Sequence, residues 1–127
     1  MLMVDDKLDK MFHMREIFMK RIQRVYPGIY PTWPVDLLNK ESQLALRDCA
    51  LKGVEEMFEA LQHLKNWKPH KTTEVKEFDR AEFLEETVDA FNYFFALLVM
   101  MGVTTDEFFQ AYEMKDSIIH KRLDNNY

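Results

Sequence analysis

An all-α fold is the first thing this sequence predicts, and three observations predict it. Apolar residues recur at helical spacing over long stretches. The three glycines and four prolines are few for the length, and most of the prolines fall in one short segment. No stretch shows the sustained period-two alternation of a half-buried strand. A chain of 127 residues is expected to form a single domain, 1–127, that buries a core without disulfides or a structural metal.

The first helix is expected from about Asp5 to Val25, with Leu8, Met11, Phe12, Ile17, Phe18 and Ile22 at helical spacing. Tyr26-Pro27-Gly28 ends it, and Pro31 and Pro34 keep the chain non-helical through Trp33. The loop Pro27 to Val35 is too short to separate domains. Asp36 or Asn39 caps the second helix. That helix runs through Leu44, Leu46 and Leu51 and is read as continuing past Gly53 to Trp67, with Pro69 as its stop. Pro69 to Asp79 is polar and lysine-rich, and a mobile loop is expected there, placed to close over a ligand.

Asp79 followed by Glu82 has the capping-box spacing and starts a long helix, Arg80 to about Met101, which Gly102 ends. Thr104 or Thr105 then caps a last helix from about Asp106 to Arg122. The architecture is a helical bundle of about four to five helices. Phe94, Phe95, Leu97, Leu98, Val99, Met100 and Met101 are apolar all round the third helix. Such a helix is either central to a core or shared with a second subunit. So few helices leave it hard to cover, which predicts completion by oligomerisation, as a homodimer or a dimer of dimers.

Composition narrows the functional classes. With 47% hydrophobic and 31% charged residues the chain is globular rather than disordered. A formal charge of −5 argues against a nucleic-acid partner. The most apolar run, Ala90 to Val103, is interrupted by Asn92 and is too short to span a bilayer, so no membrane role is expected. The first ten residues alternate charge with apolar groups and lack the apolar core of a secretory leader. The single Cys49 forms no intramolecular disulfide, and a reducing, cytoplasmic location is expected.

The chemistry lies in the acids. Glu56 and Glu59 stand at i and i+3 on the second helix, and Glu86 and Asp89 repeat that relation on the third. This spacing puts each pair on one helix face, about one turn apart. Glu55 adjoins the first pair; Glu82 and Glu85 lie near the second. Both pairs border apolar residues, where an unpaired carboxylate is costly. One such pair is ordinarily a solvated face. Two pairs on consecutive long helices can converge, if the helices are antiparallel, into four carboxylates that repel one another and raise each other's pKa values. Hard oxygen donors in that number suit Mg²⁺ or Mn²⁺. Such a cluster can hold a triphosphate and orient a water for in-line attack. The four histidines follow no Cys/His ligand spacing, and His63, four residues after Glu59, reads as a histidine on the helix surface or its border. No Glu-x-x-His pair of a di-iron bundle, no glycine-rich phosphate loop and no nucleophile elbow is present.

At these acids the chain resembles the all-α nucleotide pyrophosphohydrolase superfamily, which includes MazG-type enzymes, dCTP pyrophosphatases and the dimeric dUTPases. The shared pattern is Glu-Glu-x-x-Glu, a spacer, then Glu-x-x-Asp; here it is Glu55-Glu56-Met57-Phe58-Glu59 and Glu86-Thr87-Val88-Asp89. The likeness to dimeric dUTPases, including bacterial and phage proteins, extends over most of the chain. It includes Leu8 to Phe12, Lys65-Asn66-Trp67-Lys68, and a tail of Tyr112-x-x-Lys115, Arg122 and Asn126-Tyr127.

The resemblance implies that Glu56, Glu59, Glu86 and Asp89 bind two or more Mg²⁺ ions, with Mn²⁺ as the substitute. It implies that Glu55 or Glu56 activates water, and that Lys65, Trp67, Asn92, Lys115, Arg122 and Tyr127 contact the nucleoside triphosphate. The products would be a nucleoside monophosphate and pyrophosphate, and the site would be cytoplasmic, in the host if the chain is phage-encoded. Where dUTPases carry a Gln and an Asn or Asp on the first helix for the base, this chain has Arg15 and Phe18, and Ile119 stands at the tail Asn. Base preference therefore stays open between dUTP, dCTP, dATP and a broad house-cleaning range. Away from the enzymes, a catalytically silent helical interaction module is the rival reading. Lys115 and Arg122 would then pair with Glu107, Glu113 or Asp116, and Trp67 would plug a core end.

Overall fold

The computed structural model describes residues 6–72 and 74–125. Four helices make up its regular structure: α1 (Lys7–Val25), α2 (Lys40–Leu61), α3 (Arg80–Met101) and α4 (Thr105–Asp124). No strand occurs among the described residues, so the all-α bundle is as the periodicity predicts.

Each helix opens on a side-chain cap that satisfies an amide with no intrahelical partner. Asp6, Asn39, Asp79 and Thr104 accept from the backbone N–H of Asp9, Ser42, Glu82 and Glu107 at 3.0–3.1 Å. Of the two candidate caps for α2, Asn39 takes the role. Asp36 instead accepts from the Leu38 amide in a local turn. Gly102 ends α3 in the left-handed region at φ 76°, where a Cβ would also press against Pro34.

The second helix is shorter than expected. It ends at Leu61, well before Pro69, through i→i+3 bonds from Gln62, His63 and Leu64 to Glu59, Ala60 and Leu61. The Gln62 side chain reaches back to the Phe58 carbonyl, satisfying one of the last acceptors of the helix. Proline is therefore not the stop. Lys65 and Trp67 lie in the irregular segment that follows α2, described over 62–72 and 74–79, rather than on α2.

α3 is the central element. It packs along α2 and, less extensively, against α1. The pairs Cys49–Tyr93 and His63–Glu86 show that α2 and α3 run antiparallel, since the partner number falls as the α2 number rises. Phe12, Met19, Leu46, Cys49, Ala96, Val99 and Met100 form the core, with Phe94's neighbours Tyr93 and Phe95 partly buried against it. The apolar end of α3 thus belongs to the core of the single chain. Cys49 is buried, and its thiol donates to the Tyr93 carbonyl at 3.3 Å. Burial raises its pKa, so it is a packing residue rather than a nucleophile.

The loop 26–39 closes one end of the bundle. The Gln23 side chain both donates to and accepts from the Tyr30 backbone, the Trp33 indole donates to Glu16 at 2.9 Å, and the Val35 amide donates to Met100. α4 turns away from α3 at 109° and packs only against α1, through Phe108 on Phe12 and Thr105 hydrogen-bonded to Asp9. No residue of α4 is buried. Among the described residues no single helix is long and apolar enough to cross a membrane.

Candidate metal-binding site

The antiparallel packing of α2 and α3 sets the two acid pairs on facing stretches, near enough for Asp89 and Glu86 to act on Glu56. Among the described residues, however, no three of these four acids gather their oxygens within 4.8 Å. The Glu56 carboxyl is pushed above the ordinary carboxylate range. Partial burial contributes most, followed by Glu59 (through charge and a shared hydrogen bond), then by Asp89 and Glu86. One carboxyl therefore feels all three of its predicted partners. Glu59 and Asp89 are exposed and Glu86 is partly buried, which leaves the cluster open to solvent and to a ligand. Glu55 is exposed beside it.

Glu56 also makes a checkable statement about stability. A carboxyl whose pKa is raised on folding favours the folded state only while protonated. That contribution is complete below its unfolded pKa and is lost as pH rises through the folded one. At neutral pH the ionised Glu56 works against folding of the cation-free protein. Glu56→Gln should therefore melt a few degrees higher than the parent at neutral pH, with the gap closing in mildly acidic buffer. Thermal melts read by circular dichroism at both pH values would show this, and an unchanged or lower midpoint at neutral pH would contradict it.

A residue that the sequence left as a border histidine is also here. His63 stands two residues past the end of α2, its amide bonded to the Ala60 carbonyl. Its Nε2 lies 3.0 Å from Glu86 Oε2, and its ring stands edge-on to Phe83. Among the described residues, the ligand atoms that gather within 4.8 Å of one another belong to His63, Glu82 and Glu86. Only Glu86 is common to this group and to the four acids of the motif. The sequence signal was the i, i+4 step from Glu82 to Glu86. The contribution of His63 depends on where α2 stops, which the sequence did not show.

Two hollows flank the acids. One, of about 1000 Å³, is bounded by the 62–79 segment and the start of α3, and His63 and Glu82 form part of its wall. Lys65, Lys68, Lys71, Lys76 and Arg80 line it, interleaved with Glu74, Glu77, Asp79 and Glu82, so its basic excess is slight. Trp67 also lines it, and its ring carries the Lys68 ammonium 5.4 Å above its centre. The other, of about 770 Å³, is mostly apolar and runs between α1 and α3. Met11, Phe18, Phe91 and Phe95 line it, and Arg15, Asn92 and the site acid Asp89 supply its polar groups. The Arg15 guanidinium stacks over Phe18 and Tyr93, and its Nε is buried without a hydrogen-bond partner.

The predicted residues thus divide. Lys65 and Trp67 reach the basic hollow, and Asn92 reaches the apolar one. Lys115 and Arg122 lie on α4, which touches neither α2 nor α3, so one chain does not bring them to the acids. Asn126 and Tyr127 lie outside the described residues. Comparison of the chain with protein-family models, with curated proteins and with solved structures found no match.

Proposed function

We propose that the chain is a Mg²⁺-dependent nucleoside triphosphate pyrophosphohydrolase, cleaving a dNTP to its monophosphate and pyrophosphate. The observation that carries this reading is the antiparallel packing of α2 on α3, which sets Glu56 and Glu59 on one helix near Glu86 and Asp89 on the other. The upward push on the Glu56 carboxyl from burial and from these acids agrees with it. Such a donor set, oxygen only and mutually repelling, fits a hard divalent cation and is costly without one. Glu56, Glu59, Glu86 and Asp89 would hold the ions. When bound they neutralise charge on the phosphates.

The chain's own groups supply the rest. Glu56 or exposed Glu55 would accept the proton of the attacking water, as a carboxylate at the edge of the site. The five cations around the basic hollow hold the triphosphate, a role in which lysine acts as a point charge and Arg80 as a fork. The apolar groove takes the base between Phe18 and Phe91, and Asn92 meets the sugar or the base. An oxygen acceptor on the base would satisfy Arg15 Nε. The dUTPase-like preference follows from the sequence resemblance; a MazG-like or dCTPase-type range is the alternative. Pyrophosphate release across a panel of nucleotides tests the reading, as developed in the Discussion.

The assembly proposed is a homodimer. Phe109, Tyr112, Met114, Ile118 and Ile119 of α4 are exposed, as are Met11, Phe18, Leu84, Val88 and Phe91 along the groove. That much exposed apolar surface is costly on a monomer. A second copy would cover it and offers Lys115 and Arg122 a route to the neighbouring acids. Light scattering on the purified chain should give a mass twice 15.3 kDa or a larger even multiple. A mass of one chain at micromolar concentration would remove this part of the proposal. An enzyme of this kind acts in the cytoplasm, that of the host if the chain is phage-encoded.

A further inference from the structure

Glu82 and Glu86 are one turn apart on α3, at the i, i+4 spacing that aims two side chains at one point. His63 meets them from the chain that leaves α2. Its backbone is tied to Ala60, and its ring is set edge-on to Phe83 at 6.5 Å and 86°. The side chains of His63 and Glu86 are 19% and 24% exposed. The imidazole is therefore held in place but remains reachable from solvent.

His63 Nε2 and Glu86 Oε2 are 3.0 Å apart, an ordinary hydrogen bond, and the same spacing is open to an ion that displaces the shared proton. Two ligands about 2.0–2.1 Å from one ion, roughly at right angles, stand about 3 Å apart. The third donor, from exposed Glu82, lies within 4.8 Å of both and closes in by a side-chain rotation to reach a common ion. Donor type separates this group from the four acids: an imidazole nitrogen is a poor ligand for Mg²⁺ and a good one for Zn²⁺, Co²⁺ or Ni²⁺.

We infer that His63, Glu82 and Glu86 form a separate binding site for a transition-metal dication, at the wall of the basic hollow. Three protein ligands leave a position for water or for a phosphate oxygen of a molecule in that hollow. The inference stands on the nitrogen-bearing group alone. It shares Glu86 with the magnesium cluster proposed above, but does not depend on nucleotide hydrolysis.

Co²⁺ is the probe, because its visible absorption reports a low-coordinate shell and gains intensity on binding. Added to the chelator-treated protein, it is expected to bind with one equivalent at this site and to give that absorption. His63→Ala and Glu82→Gln should each weaken Co²⁺ binding at least about tenfold, with helix content by circular dichroism unchanged. Glu59→Gln and Asp89→Asn should leave the Co²⁺ spectrum in place while weakening Mg²⁺ binding measured by calorimetry. Equal Co²⁺ affinity in a folded His63→Ala variant overturns the inference. So does a loss on Glu59→Gln as large as that on His63→Ala, which would put the ion among the four carboxylates. If hydrolysis is absent in the parent protein but Co²⁺ binding shows this pattern, the metal site stands and the proposed activity falls.

Discussion

Replacing Glu86 by alanine is expected to lower Mg²⁺-dependent pyrophosphate release on the order of 10³-fold. A bound divalent cation supplies several kcal/mol of transition-state charge stabilisation, and each 1.36 kcal/mol is about tenfold in rate. Glu86 belongs both to the four motif acids and to the His63 contact: its charge acts on Glu56 from α3, and its carboxylate lies 3.0 Å from His63 Nε2. Its loss should be catalytic more than structural. The side chain is 24% exposed and no part of the core depends on it.

The assay is pyrophosphate release with Mg²⁺ from dUTP, dCTP, dATP, dGTP, dTTP and the ribonucleotides, comparing the parent with Glu86→Ala. Strong preference for dUTP, abolished in the variant, supports both the acidic site and the dUTPase-like reading. Release from other nucleotides keeps the site and replaces the substrate. No release from any nucleotide by the folded parent protein would sink the proposal and leave the helical interaction module as the better account.

Much of this arrangement is legible from the residues because it rests on local physics. The bounds of α3 follow from Asp79 as a cap, from 22 residues without a breaker and from Gly102 in the left-handed region. The antiparallel packing of α2 on α3 that the acid pairs required is present, but the ligand atoms that gather most closely are those of His63, Glu82 and Glu86. What stayed hidden depends on events that single residues do not signal. α2 stops at Leu61 because its last turn tightens and Gln62 folds back on Phe58, although nothing after Leu61 forbids helix until Pro69. His63 gains its place beside Glu86 only through that early stop. The position of Lys115 and Arg122 was equally hidden. Their charge suits phosphate, but α4 swings away at 109°, and helical periodicity carries no information about the angle between successive helices.

Gly53 shows the same point in energetic terms, because in the sequence it is merely a glycine that the helix tolerates. In the structure it is buried where α2 meets α3, and a Cβ there would lie 2.6 Å from Phe94 Cε1 and 2.9 Å from Cζ. The Phe94 ring is partly buried, with Phe91 edge-on to it at 6.0 Å, so a Cβ at Gly53 forces the end of that ring to shift. Gly53→Ala sets a gain in helix propensity of about 1 kcal/mol against displacement of that ring, and the two nearly cancel. Gly53→Val adds two methyl groups to the wedge and has the poorer helix propensity of a β-branched residue. Overpacking of this kind costs about 1–3 kcal/mol. The melting midpoint should fall by roughly 5–10 °C. Pairing it with Phe94→Leu should recover part of the loss, because the two positions touch and their effects are not additive. The consequence extends to the site. Glu56 and Glu59 follow Gly53 within two turns of α2, and Asp89 precedes Phe94 on α3. A wedge between the helices exposes Glu56 and spreads the acids around it, reducing both the burial and the charge repulsion that raise its pKa. Mg²⁺ affinity in Gly53→Val should therefore drop even at temperatures where the variant is fully folded, as calorimetric titration would measure. An unchanged midpoint would show that the helices are not packed this closely; a lowered midpoint with parental Mg²⁺ affinity would show that the acids are held by something other than the Gly53–Phe94 contact.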